Sequence, residues 1–161
     1  MAKDDLTFKL NEVDVFNYRV CAYIHNKTKT FLHLSHDAEH WNLIGGRVKI
    51  HEDSLTALIR ELDEELHYIF LKEQFNIRSL NENFFYHMGR HATEILIIYD
   101  LELPDEHPLA KIESFVEDGT IFKWFETSDV TREKLFCLPV QIYDLVKEDL
   151  WAFRKNVVRE D

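Results

Sequence analysis

Residues 46–68 read GRVKIHEDSLTALIRELDEELHY. Leu55, Leu58, Ile59, Leu62 and Leu66 recur at helical spacing, which predicts a helix over residues 54–66 with one apolar stripe and Asp53 or Ser54 as its N-cap. At about 100° per residue, Glu61, Glu64 and Glu65 fall in an arc of about 100° beside that stripe, at the edge of the core. Like charges at i,i+3 and i,i+4 each cost a helix a few tenths of a kcal/mol, so three carboxylates crowded there need an external reason. A divalent cation supplies one. Carboxylate oxygens are hard ligands, and Mg²⁺ binds a few of them while keeping waters and substrate phosphates in its other positions.

Upstream, Trp41-Asn42-Leu43-Ile44-Gly45-Gly46 ends a predicted strand in paired glycines, which allow close backbone approach that side chains would block. Such a loop can bring its carbonyls near bound metal. Glu52 and Arg60 read as organisers: a loop glutamate and a helix arginine that pair and hold the loop against the helix, with Glu52 also placed to reach metal through water.

The intervals between Gly46, Glu52, Arg60, Glu61, Glu64 and Glu65 resemble the Nudix box. Six matches at fixed offsets would arise by chance on the order of once in tens of millions of windows. Leu62 fills the aliphatic position. The family's final glycine is His67 here, a position that usually closes the helix in a left-handed turn, and Ile44 stands where relatives often carry proline. The resemblance implies an α/β/α sandwich around a mixed β-sheet. It implies hydrolysis of a phosphoanhydride in a nucleoside diphosphate linked to another group, such as a nucleoside triphosphate, dinucleoside polyphosphate or nucleotide sugar. It carries Glu61, Glu64, Glu65 and the Gly45 carbonyl over as ligands of Mg²⁺ or Mn²⁺, with Glu52 and Arg60 completing the catalytic set. A further acidic ligand is expected before the Phe-Lys-Trp-Phe segment, where Glu117 and Asp118 are candidates and Glu113 a weaker one; Glu117-Asp118-Gly119 reads equally well as a turn. The competing reading is a Nudix-fold sensor that binds nucleotides without hydrolysing them, in which the carboxylates are typically degraded; here they are intact.

Composition agrees with one enzyme domain over residues 1–161. The chain is 45% hydrophobic and 13% aromatic, enough to fill a core. A net charge of −11 without a basic stripe argues against general nucleic-acid or anionic-membrane binding. It would also repel a polyanionic substrate unless a cation intervenes. Cys21 and Cys137 lie in apolar surroundings without ligand spacing and are expected reduced and buried. The start MAKDDLTFKL has no apolar leader pattern and no apolar run reaches bilayer length, so a cytoplasmic location is expected. A homodimer is open, with no feature marking an interface.

Strands are predicted near 17–25, 30–34, 46–50, 82–88, 93–103 and 121–125, and a second helix over 136–153 with Pro139 in its first turn. In the strand near 121–125, Phe122 and Trp124 alternate with Lys123 and Phe125, so either pair can face the core. The charged tail from Arg154 is expected to fray. For the substrate side, Tyr86 and Arg90 are candidates to stack on a base and reach phosphate, in a segment that reads equally as a strand and its turn.

Overall fold

The structure is a computed structural model that describes residues 4–147 and 154–160. Its strands are β1 (Thr7–Lys9), β2 (Asp14–His25), β3 (Lys29–Leu34), β4 (Trp41–Asn42) and β5 (Ile44–Arg47). Helix α1 (Ser54–Leu66) follows, then β6 (Asn76–His87), β7 (Arg90–Glu102), β8 (Ser114–Glu117), β9 (Thr120–Glu126) and β10 (Cys137–Leu138). A short helix α2 (Ile142–Leu145) precedes β11 (Arg154–Arg159). Parallel pairs (β10 with β4, β11 with β6) coexist with antiparallel ones, so the sheet is mixed and the fold is the α/β/α sandwich type.

The chain forms two compact units. The first contains the chain up to Cys21, Gly45–Tyr99 and β11; the second contains Ala22–Ile44 and the segment from Asp100 through α2. Strands β2 and β7 are continuous through both.

In the first unit β1 and β5 lie on β2, and β6 pairs with β11. Helix α1 starts on Asp53, whose side chain accepts from the Thr56 backbone N–H at 2.9 Å and the Thr56 hydroxyl at 2.8 Å. It buries Ser54, Ala57, Leu58, Leu62 and Leu66. The buried stripe is therefore centred on Leu58 and Leu62, with Leu55 and Ile59 at its half-buried margins. His67 closes the helix in the left-handed region at φ 57°, ψ 32°, its N–H reaching the Asp63 carbonyl at 3.0 Å. Strand β5 begins two residues earlier than expected and stops at Arg47; beyond it Lys49 makes only an isolated bridge to Asp5.

The tail does not fray. β11 runs parallel to Ser79–Phe84 of β6, with Asn156 donating to the Asn81 side chain at 2.9 Å, Lys155 3.1 Å from Glu82, and Arg159 over the Phe84 ring at 4.7 Å. Lys155, Asn156 and Arg159 thus have cross-strand partners that no local pattern encodes.

The second unit packs β9 on β3 and β8 on β9. Phe122 and Trp124 are the pair on β9 that faces inward, where Phe31 lies 4.9 Å from Trp124 and the indole donates to the Leu109 carbonyl at 2.9 Å. The expected helix over 136–153 is corrected: Cys137 and Leu138 are taken up in pairing with Trp41 and Asn42, and helix is formed only at Ile142–Leu145. The Tyr143 hydroxyl fastens this corner, donating to the Leu135 carbonyl and accepting from the Cys137 N–H, both at 2.7 Å. Residues 148–153 of the expected helix lie outside the described residues. Cys21 and Cys137 are buried and free.

Candidate active site

The site is built where β5 hands the chain to α1. Glu52 accepts from Arg60 at both oxygens, 2.9 Å from Nε and 3.0 Å from Nη2, and one of those oxygens also takes the Lys49 backbone N–H at 3.0 Å. These bonds, led by that of Arg60, hold the Glu52 carboxyl below its ordinary pKa. Arg60 continues inward, donating Nη1 to Glu61 at 2.7 Å and Nη2 to the Arg47 carbonyl at 3.1 Å, with Glu64 3.5 Å from Nη1. One guanidinium therefore ties together the loop, the strand end and two of the three crowded carboxylates. A bidentate fork can do this because its five donors lie in one plane.

The two glycines have separate steric duties. A Cβ on Gly45 would strike the Val20 carbonyl and the Cys21 Cα of β2, so β5 packs there backbone to backbone. A Cβ on Gly46 would strike the carboxylate of Glu61. Glu65 lies on the same face. Burial first, and then the charge of Glu61, push its carboxyl up to about 7; Arg19 works the other way and Glu64 adds slightly. Glu64 is the outermost, its side chain 57% exposed.

Two charged residues outside the box join this unit. Ala92, Glu94, Leu96, Ile98 and Asp100 alternate as the buried face of β7, so Glu94 carries a carboxylate in between the apolar Ala92 and Leu96. Asn83 donates to one Glu94 oxygen at 3.0 Å, and Arg19 of β2 lies 3.8 Å from the other. The Arg19 guanidinium is held above its ordinary pKa: crowding by protein works against its charge, while Cys21, Glu94, Glu61 and Glu65 more than offset that. The signal available in sequence was Glu94 itself, a charge at an inward position of a period-two strand.

The remaining sequence candidates belong to other elements. Tyr86 and Arg90 flank the β6–β7 hairpin, whose Met88 (φ 50°) and Gly89 (φ 76°) form the two-residue turn; the Tyr86 ring is 59% exposed and 5.3 Å from that of His91. Glu117 ends β8 in the second unit, and Asp118 (φ 47°) and Gly119 (φ 77°) make the hairpin to β9. The turn reading of that segment is thus realised.

A family model described as the NUDIX domain matches residues 15–146. The chain belongs to the Nudix family. It is a Nudix enzyme of the pyrophosphohydrolase class. No curated protein matches it in sequence. Among solved structures it is similar to the MutT protein of Bacillus halodurans, with TM-score 0.62 and 14% identity over 84% of this chain and 83% of that one. It is similar also to the MutT protein of Methanosarcina mazei Go1, with TM-score 0.56 and 19% identity over 85% and 94%. An Ap4A hydrolase of C. elegans in a binary complex gives TM-score 0.52 and 22% identity over 81% and 93%. At these identities the likeness of this Nudix chain to each neighbour is one of fold. Among the described residues no helix is long and apolar enough to cross a membrane.

Proposed function

We propose that this Nudix chain hydrolyses a phosphoanhydride in a nucleoside diphosphate linked to another group, with Mg²⁺ or Mn²⁺ held by Glu61, Glu64, Glu65 and the Gly45 carbonyl. The observation that carries this is the seating of Glu61: its carboxylate lies against Gly46, where a Cβ would fill its place, and Arg60, itself gripped by Glu52, fixes it from the other side. Among the described residues no three or more His, Cys, Asp or Glu side chains converge closely enough to hold a metal ion by themselves. The donor chemistry still fits the ion, because Mg²⁺ takes one or two carboxylates plus water and substrate phosphates rather than an all-protein shell.

A bound divalent ion would neutralise diphosphate oxygens and lower the pKa of the attacking water. The residues of the chain do the rest. Glu52 and Arg60 hold the β5–α1 loop beside Glu61, which supports the reading that the Gly45 carbonyl and Glu61 would serve one ion. Glu65, whose carboxyl burial and the charge of Glu61 push up to about 7, is our candidate to accept a proton from the attacking water. Glu117, Tyr86 and Arg90 remain candidates for a further ligand, base stacking and phosphate contact respectively.

The test is phosphate and pyrophosphate release from a panel of nucleoside triphosphates, dinucleoside polyphosphates and nucleotide sugars, with Mg²⁺, with Mn²⁺ and with chelator. The expected result is metal-dependent release that Glu64→Gln and Glu65→Gln abolish while both variants stay folded. Metal-independent release, or near-normal turnover in both variants, overturns the reading. No turnover on any compound, with nucleotide binding retained, favours the sensor.

A further inference from the structure

Arg60 cannot serve the substrate. Its Nε, Nη1 and Nη2 are committed to Glu52, Glu61 and the Arg47 carbonyl. A guanidinium beside the box would add to the neutralisation of a bound diphosphate, and Arg19 directly precedes Val20 and Cys21, the β2 residues against which Gly45 packs. Its side chain is 41% exposed, and its ion-pair partner among the described residues is Glu94 at 3.8 Å, a separation too long for a hydrogen bond. Among the described residues the planar N–H fork of Arg19 is therefore anchored by charge but open at its donors. Behind it, Glu94 is 4% exposed and further held by Asn83, which is itself 6% exposed. A buried carboxylate fixed in this way keeps a guanidinium in place without consuming its hydrogen bonds.

We infer that Arg19 is a substrate-contacting residue, donating to a phosphate of the diphosphate held at the box, and that Glu94 with Asn83 positions it. The inference rests on the proposed hydrolase site. A guanidinium suits the role because it matches two phosphate oxygens at once and stays charged at any working pH. Arg47 is the rival cation: its Nε is buried without a hydrogen-bond partner among the described residues, while its backbone carbonyl is bound to Arg60.

The test uses inorganic pyrophosphate binding to the full chain by calorimetry, with and without Mg²⁺, beside Mn²⁺ binding by electron paramagnetic resonance. Arg19→Gln is expected to weaken pyrophosphate by about 10- to 100-fold, the range of a charged hydrogen-bonded pair, while Mn²⁺ binds as well as or better than before, since a repelling cation is gone. Arg19→Lys should recover part of the loss. Glu94→Gln combined with Arg19→Gln should restore the melting temperature that an unpaired buried Glu94 lowers, without restoring pyrophosphate binding. Pyrophosphate binding within about twofold of the parent in Arg19→Gln overturns the inference, taking about twofold as measurement scatter. So does an equal loss of Mn²⁺ affinity, or recovery of pyrophosphate binding in the double variant. Failure of the parent chain to bind Mn²⁺ would sink the hydrolase reading instead, and Arg19-dependent binding of metal-free pyrophosphate would then still uphold the contact.

Discussion

The Cα of Gly46 lies directly under the Glu61 carboxylate, so that a methyl group there and the carboxylate cannot occupy their present positions together. The carboxylate cannot swing away cheaply, because Arg60 holds it at 2.7 Å. Gly46→Ala is expected to fold, since the obstruction is a side-chain end, but to misplace Glu61. A displacement of about 1 Å at a reacting centre can cost on the order of 100-fold in rate. Steady-state kinetics beside a melting curve checks this: a stable variant with near-parental kcat would show that Glu61 does not need that seat.

Arg60→Lys keeps the charge and loses the fork. A single ammonium cannot bond both Glu52 oxygens, Glu61 and the Arg47 carbonyl together. The expected loss is about 2 kcal/mol of stability, measured by urea unfolding, with a larger loss of turnover because the β5–α1 loop and Glu61 are released. Unchanged unfolding midpoints would remove Arg60 from its organising role.

Glu65 makes stability depend on pH with a defined sign. Its folded pKa, about 7, lies above the ordinary carboxylate value, so the folded state binds the extra proton and stability falls as pH rises from about 4.5 to about 7. Mg²⁺ bound there as proposed would compete with that proton and relieve the repulsion among Glu61, Glu64 and Glu65. The thermal shift given by Mg²⁺ should therefore grow across the same window, and Glu65→Gln should flatten both trends. His25, buried 3.0 Å from Asp100, has its own raised pKa and supplies the residual slope above about 6.5: burial opposes its charge, and the Asp100 bond outweighs that. A parental pH profile in Glu65→Gln would refute the assignment.

His67 holds a left-handed conformation that favours glycine. His67→Gly is expected to raise stability by about 1 kcal/mol, or about 2–4 °C in Tm for a chain of this size, with kcat unchanged. A fall in kcat with intact folding would show instead that the imidazole contributes to the site.

The box could be read from the sequence because its interactions are local. Asp53, Glu52, Arg60 and Glu61 lie within nine residues of one another, and helical periodicity fixes which of them share a face. The strands β2, β3, β6, β7 and β9 were legible for the same reason, through period-two patterning. Strand β11 and the 137–138 pairing were not, because they depend on partners some 75 and 96 residues away in the chain, Asn81 and Trp41. Helical spacing of Leu138, Ile142 and Leu145 competed with that pairing and lost.

The sequence by itself determined α1, its cap, the acidic row along its edge and the family to which the chain belongs. Only the tertiary structure decided that Arg60 is fully occupied, that Gly46 is the floor under Glu61, and that Arg19 and Glu94 stand beside the box. Those facts come from β2 and β7 belonging to α1's own unit at residues 19 and 94, and sequence separation carries no record of which distant side chains a sheet will place within a few ångströms.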